Sequence, residues 1–151
     1  MKTNKKTLKM KSITLALLAM VLAPSLAFAQ DSNRLKQVMN GLLKDTQLLT
    51  EGIFLEDYKK IELAASNIAD HPTPGKEIMQ KVMKNLGAEM PTFKGFDMKV
   101  HNTAVLIAKA ANGNDMKAVV SNYHQLVDGC QSCHNQYKQK ISTLLSQDDP
   151  Q

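Results

Sequence analysis

The last third of the chain carries a stripe of mostly apolar residues whose spacing alternates between four and three. Such spacing places side chains along one side of a helix and is typical of helices packed in a bundle. The stripe predicts one long C-terminal helix, capped at its start by residues 112–115. Its members are Met116, Val120, Tyr123, Val127, Cys130, His134, Tyr137, Ile141 and Leu144.

Three shorter stripes precede it, and each predicts a further helix. The first comprises Leu35, Met39, Leu42, Thr46, Leu49 and Ile53, with Asp31 and Ser32 as N-cap candidates and Gly52 marking the end. The second comprises Phe54, Tyr58, Ile61, Ala65 and Ile68 and is predicted to end near Asp70. The third comprises Phe96, Val100, Thr103, Ile107 and Ala110, flanked by His101, Ala104, Ala108 and Ala111.

Between the second and third stripes, residues 78–86 predict a short extra helix, and residues 91–95 are predicted to form a loop. The chain has no Trp and few β-branched runs, which favours an all-α protein. We therefore predict an antiparallel four-helix bundle, a fold whose core commonly holds a cofactor. It would occupy residues 30–151 as one domain.

Residues 1–29 are predicted to be a cleaved export signal. Five lysines without an acid precede an apolar stretch at residues 13–23, and small residues precede Gln30, so cleavage is expected after Ala29. The stretch is shorter than the roughly 20 residues of a membrane span, so no stable membrane anchor is expected. The predicted location is the periplasm.

Removal of the signal changes the charge of the protein. Five of the 19 basic residues precede Ala29, so 14 basic and 14 acidic residues remain. The basic character of the whole chain therefore belongs to the signal, and we expect no nucleic-acid partner.

The only two cysteines, Cys130 and Cys133, lie three residues apart and are followed at once by His134. A disulfide between them would close a tiny loop that the helix already constrains, so it would add little stability. Reactive dithiols usually lie at the start of a helix, whereas this pair lies well inside one. A zinc site would need further ligands, for which His101 or His124 would have to be recruited.

Covalent attachment of haem uses this spacing directly. Two thiols three residues apart can bond to the two vinyl groups of one haem, and the next histidine then ligates the iron. We interpret Cys130, Cys133 and His134 as a site for one haem c, with a disulfide or another metal as the alternatives.

A sixth iron ligand would have to come from upstream, because no Met or His follows His134. His124 lies ten residues earlier on the same helix, about 15 Å along its axis, and cannot reach the iron. Met39 on the first helix is the candidate, and an ordinary core methionine is its alternative role.

The chain resembles the class II c-type cytochromes, that is, cytochrome c-prime and its low-spin relatives. The resemblance rests on "GCQSCHNQYK" near the C-terminus and on "LKQVMNGL" in the first helix. It implies a four-helix bundle, haem c bound through Cys130 and Cys133, His134 as proximal ligand and Met39 at the distal position. Members of this family are often dimers through their first two helices, so the resemblance is also compatible with a homodimer of this chain.

Two positions depart from the family pattern. Leu35 stands where the family has an arginine that partners a haem propionate, so Arg34 and Lys36 are the candidate substitutes. Lys138 stands where many five-coordinate members have arginine, and a lysine lacks the planar fork of a guanidinium. Solvated surface charge is the alternative role of all three cations.

The sequence thus predicts a periplasmic monohaem cytochrome that transfers one electron to and from partner proteins and is not an enzyme. The alternative is a five-coordinate protein of the cytochrome c-prime type that binds nitric oxide or carbon monoxide at an open distal site.

Overall fold

The computed structural model describes residues 29–146, with side chains from Arg34 onward. These residues are helical apart from short connections and include no strand. The α-helices are α1 (Ala29–Phe54), α2 (Tyr58–Ala69), α3 (Lys76–Leu86), α4 (Met90–Asn112), α5 (Met116–Cys133) and α6 (Gln139–Ser146). A 3₁₀ turn, Gly87–Glu89, precedes α4, and a π-helical turn, His134–Lys138, joins α5 to α6.

Hydrogen bonds between the long helices show that neighbours run antiparallel. Asn67, late in α2, donates to Asp45 of α1, whereas Lys60, early in α2, donates to Glu51, which lies later in α1. Likewise, Asn112 at the end of α4 donates to Glu62 of α2, whereas His101, earlier in α4, donates to the carbonyl of Ala69 at the end of α2. A short turn at residues 113–115 then reverses the chain into α5. The predicted all-α antiparallel four-helix bundle is confirmed, with α5, the π turn and α6 together forming the fourth helix.

Two helices begin with a side-chain cap, and the one at the start of α5 lies within residues 112–115, where the sequence predicts a cap. Asp57 accepts a hydrogen bond from the Lys60 amide at the start of α2, and Asp115 accepts one from the Ala118 amide at the start of α5. The end of α2 at Ala69, next to Asp70, is as predicted.

The loop predicted at residues 91–95 is wrong, because these residues form the first turns of α4. Pro91 is accommodated at the start of the helix, where its missing amide would have had no intrahelical partner in any case. The short helix predicted over residues 78–86 is present as α3, which begins at Lys76.

The start and end of α1 also differ from the prediction. The helix begins at Ala29, so Asp31 and Ser32 lie within it and do not cap it. It continues past Gly52 to Phe54, which is therefore the last residue of α1 and, at 83% exposure, has no part in the stripe of α2. Apart from Ala29, the predicted export signal lies outside the described residues.

Gly52 is required by the close approach of α1 and α2. A Cβ atom at this position would lie 2.9 Å from Ile61 Cγ1 and 3.1 Å from the Ile61 amide nitrogen. Gly95, on the exposed surface of α4, would place its Cβ in open space.

Replacing Gly52 with Ala is therefore expected to lower the free energy of unfolding by about 1–3 kcal/mol, because Ile61 and its backbone must shift. Gly95→Ala is the matched control and should raise it by about 0.5–1 kcal/mol through the helix propensity of alanine. Urea denaturation of both variants measures the two effects. Equal changes in the two variants would contradict the packing role of Gly52.

The buried core is divided into two clusters. The large cluster holds Leu49, Ile61, Ala64, Ala65, Ile68, Ala69, Val100, Ala104, Ile107, Ala111, Val119 and Leu126. The small cluster lies near the other end of the bundle and holds Ile78, Val82, Leu86, Tyr137, Ile141 and Leu145. The fourth helix contributes to both clusters, since Val119 and Leu126 belong to the large one and Tyr137, Ile141 and Leu145 to the small one.

The sequence predicts that the stripe of the fourth helix continues without a break. In the structure, the π turn interrupts it. Its most buried residues are Val119 and Leu126 before the π turn, and Tyr137, Ile141 and Leu145 after it. A π turn closes i→i+5 hydrogen bonds and so holds more residues per turn than an α-helix, which shifts the register of the residues that follow it. After the turn, Leu145 is buried rather than Leu144. His134, the first residue of the turn, is exposed although the stripe predicts it on the buried side, and Val127 before the turn is exposed as well.

Candidate functional site

Cys130 and Cys133 lie on the last turn of α5, between the two clusters of the core. Cys130 packs against the large cluster and Cys133 against the small one. Gly129, just before them, lets α4 approach closely, since a Cβ here would lie 3.1 Å from Val100 Cγ2. Each cysteine therefore borders a different half of the core.

Both cysteines are free thiols and both are half-buried. Burial raises the pKa of the Cys130 thiol, although a backbone hydrogen bond opposes the shift. Burial also raises the pKa of Cys133 to about 11, aided by the negative charges of Asp97 and of the Cys130 thiolate. The thiols are thus protonated at neutral pH, unlike the activated thiolate of a reactive dithiol.

The histidines proposed as further zinc ligands are not gathered around the cysteines. Nδ1 of His101 donates to the Ala69 carbonyl at 2.8 Å, and His124 is exposed on α5 beside the Tyr123 ring. Within residues 29–146, no three side chains of His, Cys, Asp or Glu are grouped so as to hold a metal ion.

One hydrogen bond sets the register of α1 against α5. Thr50 donates to the Thr46 carbonyl, so the Tyr123 hydroxyl donates to Thr50 Oγ1, at 2.8 Å. Met39 lies eleven residues before Thr50, and His134 lies eleven residues after Tyr123. Because the two helices run antiparallel with the same rise per residue, Met39 and His134 lie at the same height along the bundle.

The same count places both residues on the facing sides of their helices. Eleven residues are close to three full helical turns, so Met39 shares a side of α1 with Thr50, and His134 shares a side of α5 with Tyr123. The Thr50–Tyr123 bond shows that these two sides face each other. The predicted axial candidates therefore lie at the same height on facing sides of their helices, although they are 95 positions apart in sequence.

One contact between α1 and the fourth helix lies near each end of the stretch that they share. At one end is the Thr50–Tyr123 bond, and at the other Leu35 and Lys36 line a cavity of about 290 Å³ with residues of α6. Between them, Met39 of α1 is 42% exposed, although the sequence predicts it on a buried stripe. Leu43, one turn along the same side, is also exposed. Met39 and Leu43 thus form a partly exposed apolar side of α1 at the height of the cysteine turn.

The three cations predicted near the site lie in different surroundings. Arg34 extends towards the loop before α3, with Nη1 3.1 Å from where a Cβ of Gly75 would be. Lys36 lines the cavity against α6, and Lys138 is exposed on the π turn. Lys36 and Lys138 each lie about one turn from an axial candidate, Met39 and His134 respectively.

Comparison with known protein families identifies the family of this chain. The family model described as Cytochrome C' matches residues 25–138, which include both cysteines, His134 and Met39. The chain belongs to the cytochrome C' family. No curated protein and no solved structure gives a significant match.

Membership of the cytochrome C' family confirms the resemblance inferred from the sequence and implies that the chain binds haem c as a c-type cytochrome. The residues present fit that cofactor. Two thiols stand three apart on one helix, a histidine follows, and an apolar side carrying a thioether faces them at the same height. These are donor types that hold haem iron in cytochromes.

Sequence reasoning missed two features of this region. The Thr50–Tyr123 bond was not foreseen, although Tyr123 belongs to the predicted stripe. Asp97, whose carboxylate acts on Cys133, follows the predicted stripe residue Phe96 and carried no separate signal.

Among the helices of residues 29–146, none combines the length and apolar content that crossing a membrane requires.

Proposed function

We propose that this protein is an exported, periplasmic electron carrier that holds one haem c and exchanges one electron with redox partner proteins. Cys130 and Cys133 would carry the haem through thioether bonds, and His134 and Met39 would be the axial ligands of the iron. The observation that carries the proposal is the shared height and facing orientation of Met39 and His134, set by the Thr50–Tyr123 bond.

When bound, haem supplies reversible one-electron chemistry, which the side chains alone do not offer. The chain's own residues would hold and insulate the group. Imidazole and thioether ligands at fixed heights would limit the change in coordination between oxidation states, and the two apolar clusters would limit access of water. The function needs no substrate other than the electron, so we propose no enzymatic turnover.

Arg34, Lys36 and Lys138 are proposed to neutralise the haem propionates. Lys36 precedes Met39 by three residues and Lys138 follows His134 by four, so each lies about one turn from an axial ligand. Lysine would act as a point charge there rather than as a bidentate fork.

A second function is favoured by the exposure of Met39. At 42% exposure, this side chain is only partly covered by the surrounding protein, so small molecules can reach its side of α1. If Met39 stays off the iron, the distal position can take nitric oxide or carbon monoxide. The protein would then bind gas rather than serve mainly as an electron carrier.

The visible spectrum of the purified protein tests the choice. Ligation by His134 and Met39 is expected to give low-spin iron with a sulfur-to-iron charge-transfer band, which Met39→Ala should remove by converting the iron to high spin. Met98→Ala is the matched control, because Met98 has similar exposure on α4 and should leave the spectrum unchanged.

A high-spin spectrum of the unmodified protein in both oxidation states would contradict methionine ligation and favour gas binding. If the iron is low-spin and Met39→Ala leaves it so, another residue is the ligand. A purified protein whose mass equals that of the bare polypeptide would contradict haem attachment altogether.

A further inference from the structure

Asp97 of α4 lies beside the turn that carries the two cysteines. The register of α4 against α5 is set by the ion pair of Lys99 with Asp128, at 2.6 Å, and by the close approach of Val100 to Gly129. Because the helices run antiparallel, moving two or three residues back along α4 corresponds to moving forward by as many along α5. Asp97 is therefore level with the turn between Cys130 and Cys133.

The neighbours of Asp97 hold it on this side of the bundle. Phe96, the preceding residue, packs into the small cluster together with Cys133 and contacts the Tyr137 ring edge-on. The Asp97 carboxylate lies 3.4 Å from Nε2 of His71, whose Nδ1 in turn donates to the Ile68 carbonyl at 3.0 Å. These contacts hold the Asp97 carboxylate in a defined position.

Asp97 and Asp128 differ in the charge of their partners. Asp97 lies beside the imidazole of His71, which carries a charge only when it is protonated, whereas Asp128 is paired at 2.6 Å with the ammonium group of Lys99. The negative charge of Asp97 is therefore less fully compensated than that of Asp128.

We propose that Asp97 sets the midpoint potential of the haem carried by Cys133, by favouring the oxidised form. The inference rests on the proposed function. Oxidised haem iron carries one more positive charge than reduced iron, so a nearby carboxylate stabilises the oxidised state. The balance is one electron taken up by Fe(III) to give Fe(II), and the carboxylate changes only how readily that electron is accepted.

Potentiometric titration of the haem-loaded protein tests the role of Asp97. Asp97→Asn is expected to raise the ratio of reduced to oxidised protein about threefold at a fixed ambient potential, in line with one partly solvated charge. By the one-electron relation of 59 mV per tenfold, this equals about 30 mV. Asp97→Lys reverses the charge and should roughly double the shift in potential, whereas Asp97→Glu keeps the charge and should restore the original potential.

Asp128→Asn is the matched control, because it makes the same change in net charge at a residue of α5 that is already paired. Its shift should be clearly smaller than that of Asp97→Asn. The unfolding midpoint and the spin state are recorded alongside, since a purely structural role of Asp97 would alter them in place of a graded change in potential.

A haem-loaded protein whose potential is the same in Asp97→Asn and Asp97→Lys would overturn this inference and leave the proposed function intact. Equal shifts in Asp97→Asn and Asp128→Asn would also overturn it, because net charge alone would then account for the change. A colourless protein would contradict the proposed function and this inference together.

Discussion

Replacing both Cys130 and Cys133 with alanine is expected to give a protein from which all haem separates on denaturation. The two thiols are the only ones in the chain, so no other side chain can form a thioether with a haem vinyl group. In the unmodified protein, the haem should remain with the polypeptide after denaturation and add its mass to the chain. Intact mass and haem staining after denaturing electrophoresis measure the difference.

Single variants and a neighbouring control sharpen this test. Cys130→Ala or Cys133→Ala should retain haem through one remaining bond, with a visible spectrum shifted by the unreacted vinyl group. Ser132→Ala changes a half-buried residue of the same turn and should leave both bonds in place. Haem that stays with the denatured double variant would contradict attachment at these cysteines.

The helices could be predicted from the sequence, because the stripes of α2 and α4 reflect burial that a local pattern records. Val100, Thr103 and Ile107 are buried as that pattern predicts. The π turn could not be predicted in this way. An inserted residue in a helix leaves the composition and local spacing almost unchanged, and it becomes visible only where the later residues pack, as Leu145 does.

The two parts of the site also differ in how far the sequence alone predicts them. The cysteines and His134 form a local motif whose chemistry follows from spacing alone, and the expectation of haem rests on five consecutive residues. The placement of Met39 opposite His134 needed the contact between Thr50 and Tyr123, which are 73 positions apart. Asp97 depends on the approach of α4 to Gly129, so no stretch of sequence by itself points to it.

Replacing Tyr137 with alanine is expected to lower the free energy of unfolding by about 3–5 kcal/mol, a large part of the stability of a domain of this size. Tyr137 is the largest fully buried side chain of the described residues, at 1% exposure. Its ring meets Phe93 edge-on, with centroids 5.3 Å apart, so the ring joins the π turn to α4. Urea denaturation gives the loss as a shift of the midpoint.

Two comparisons separate the ring of Tyr137 from its hydroxyl group and from aromatic content in general. Tyr137→Phe keeps the ring and removes only a hydroxyl that bonds Gln136 at 3.0 Å and the Glu89 carbonyl at 3.5 Å, so about 1 kcal/mol or less should be lost. Phe54→Ala removes an exposed ring and should change stability by no more than about 0.5 kcal/mol. If Tyr137→Ala proved as mild as Phe54→Ala, the small cluster would not depend on this ring, and the π turn beside His134 would need another anchor.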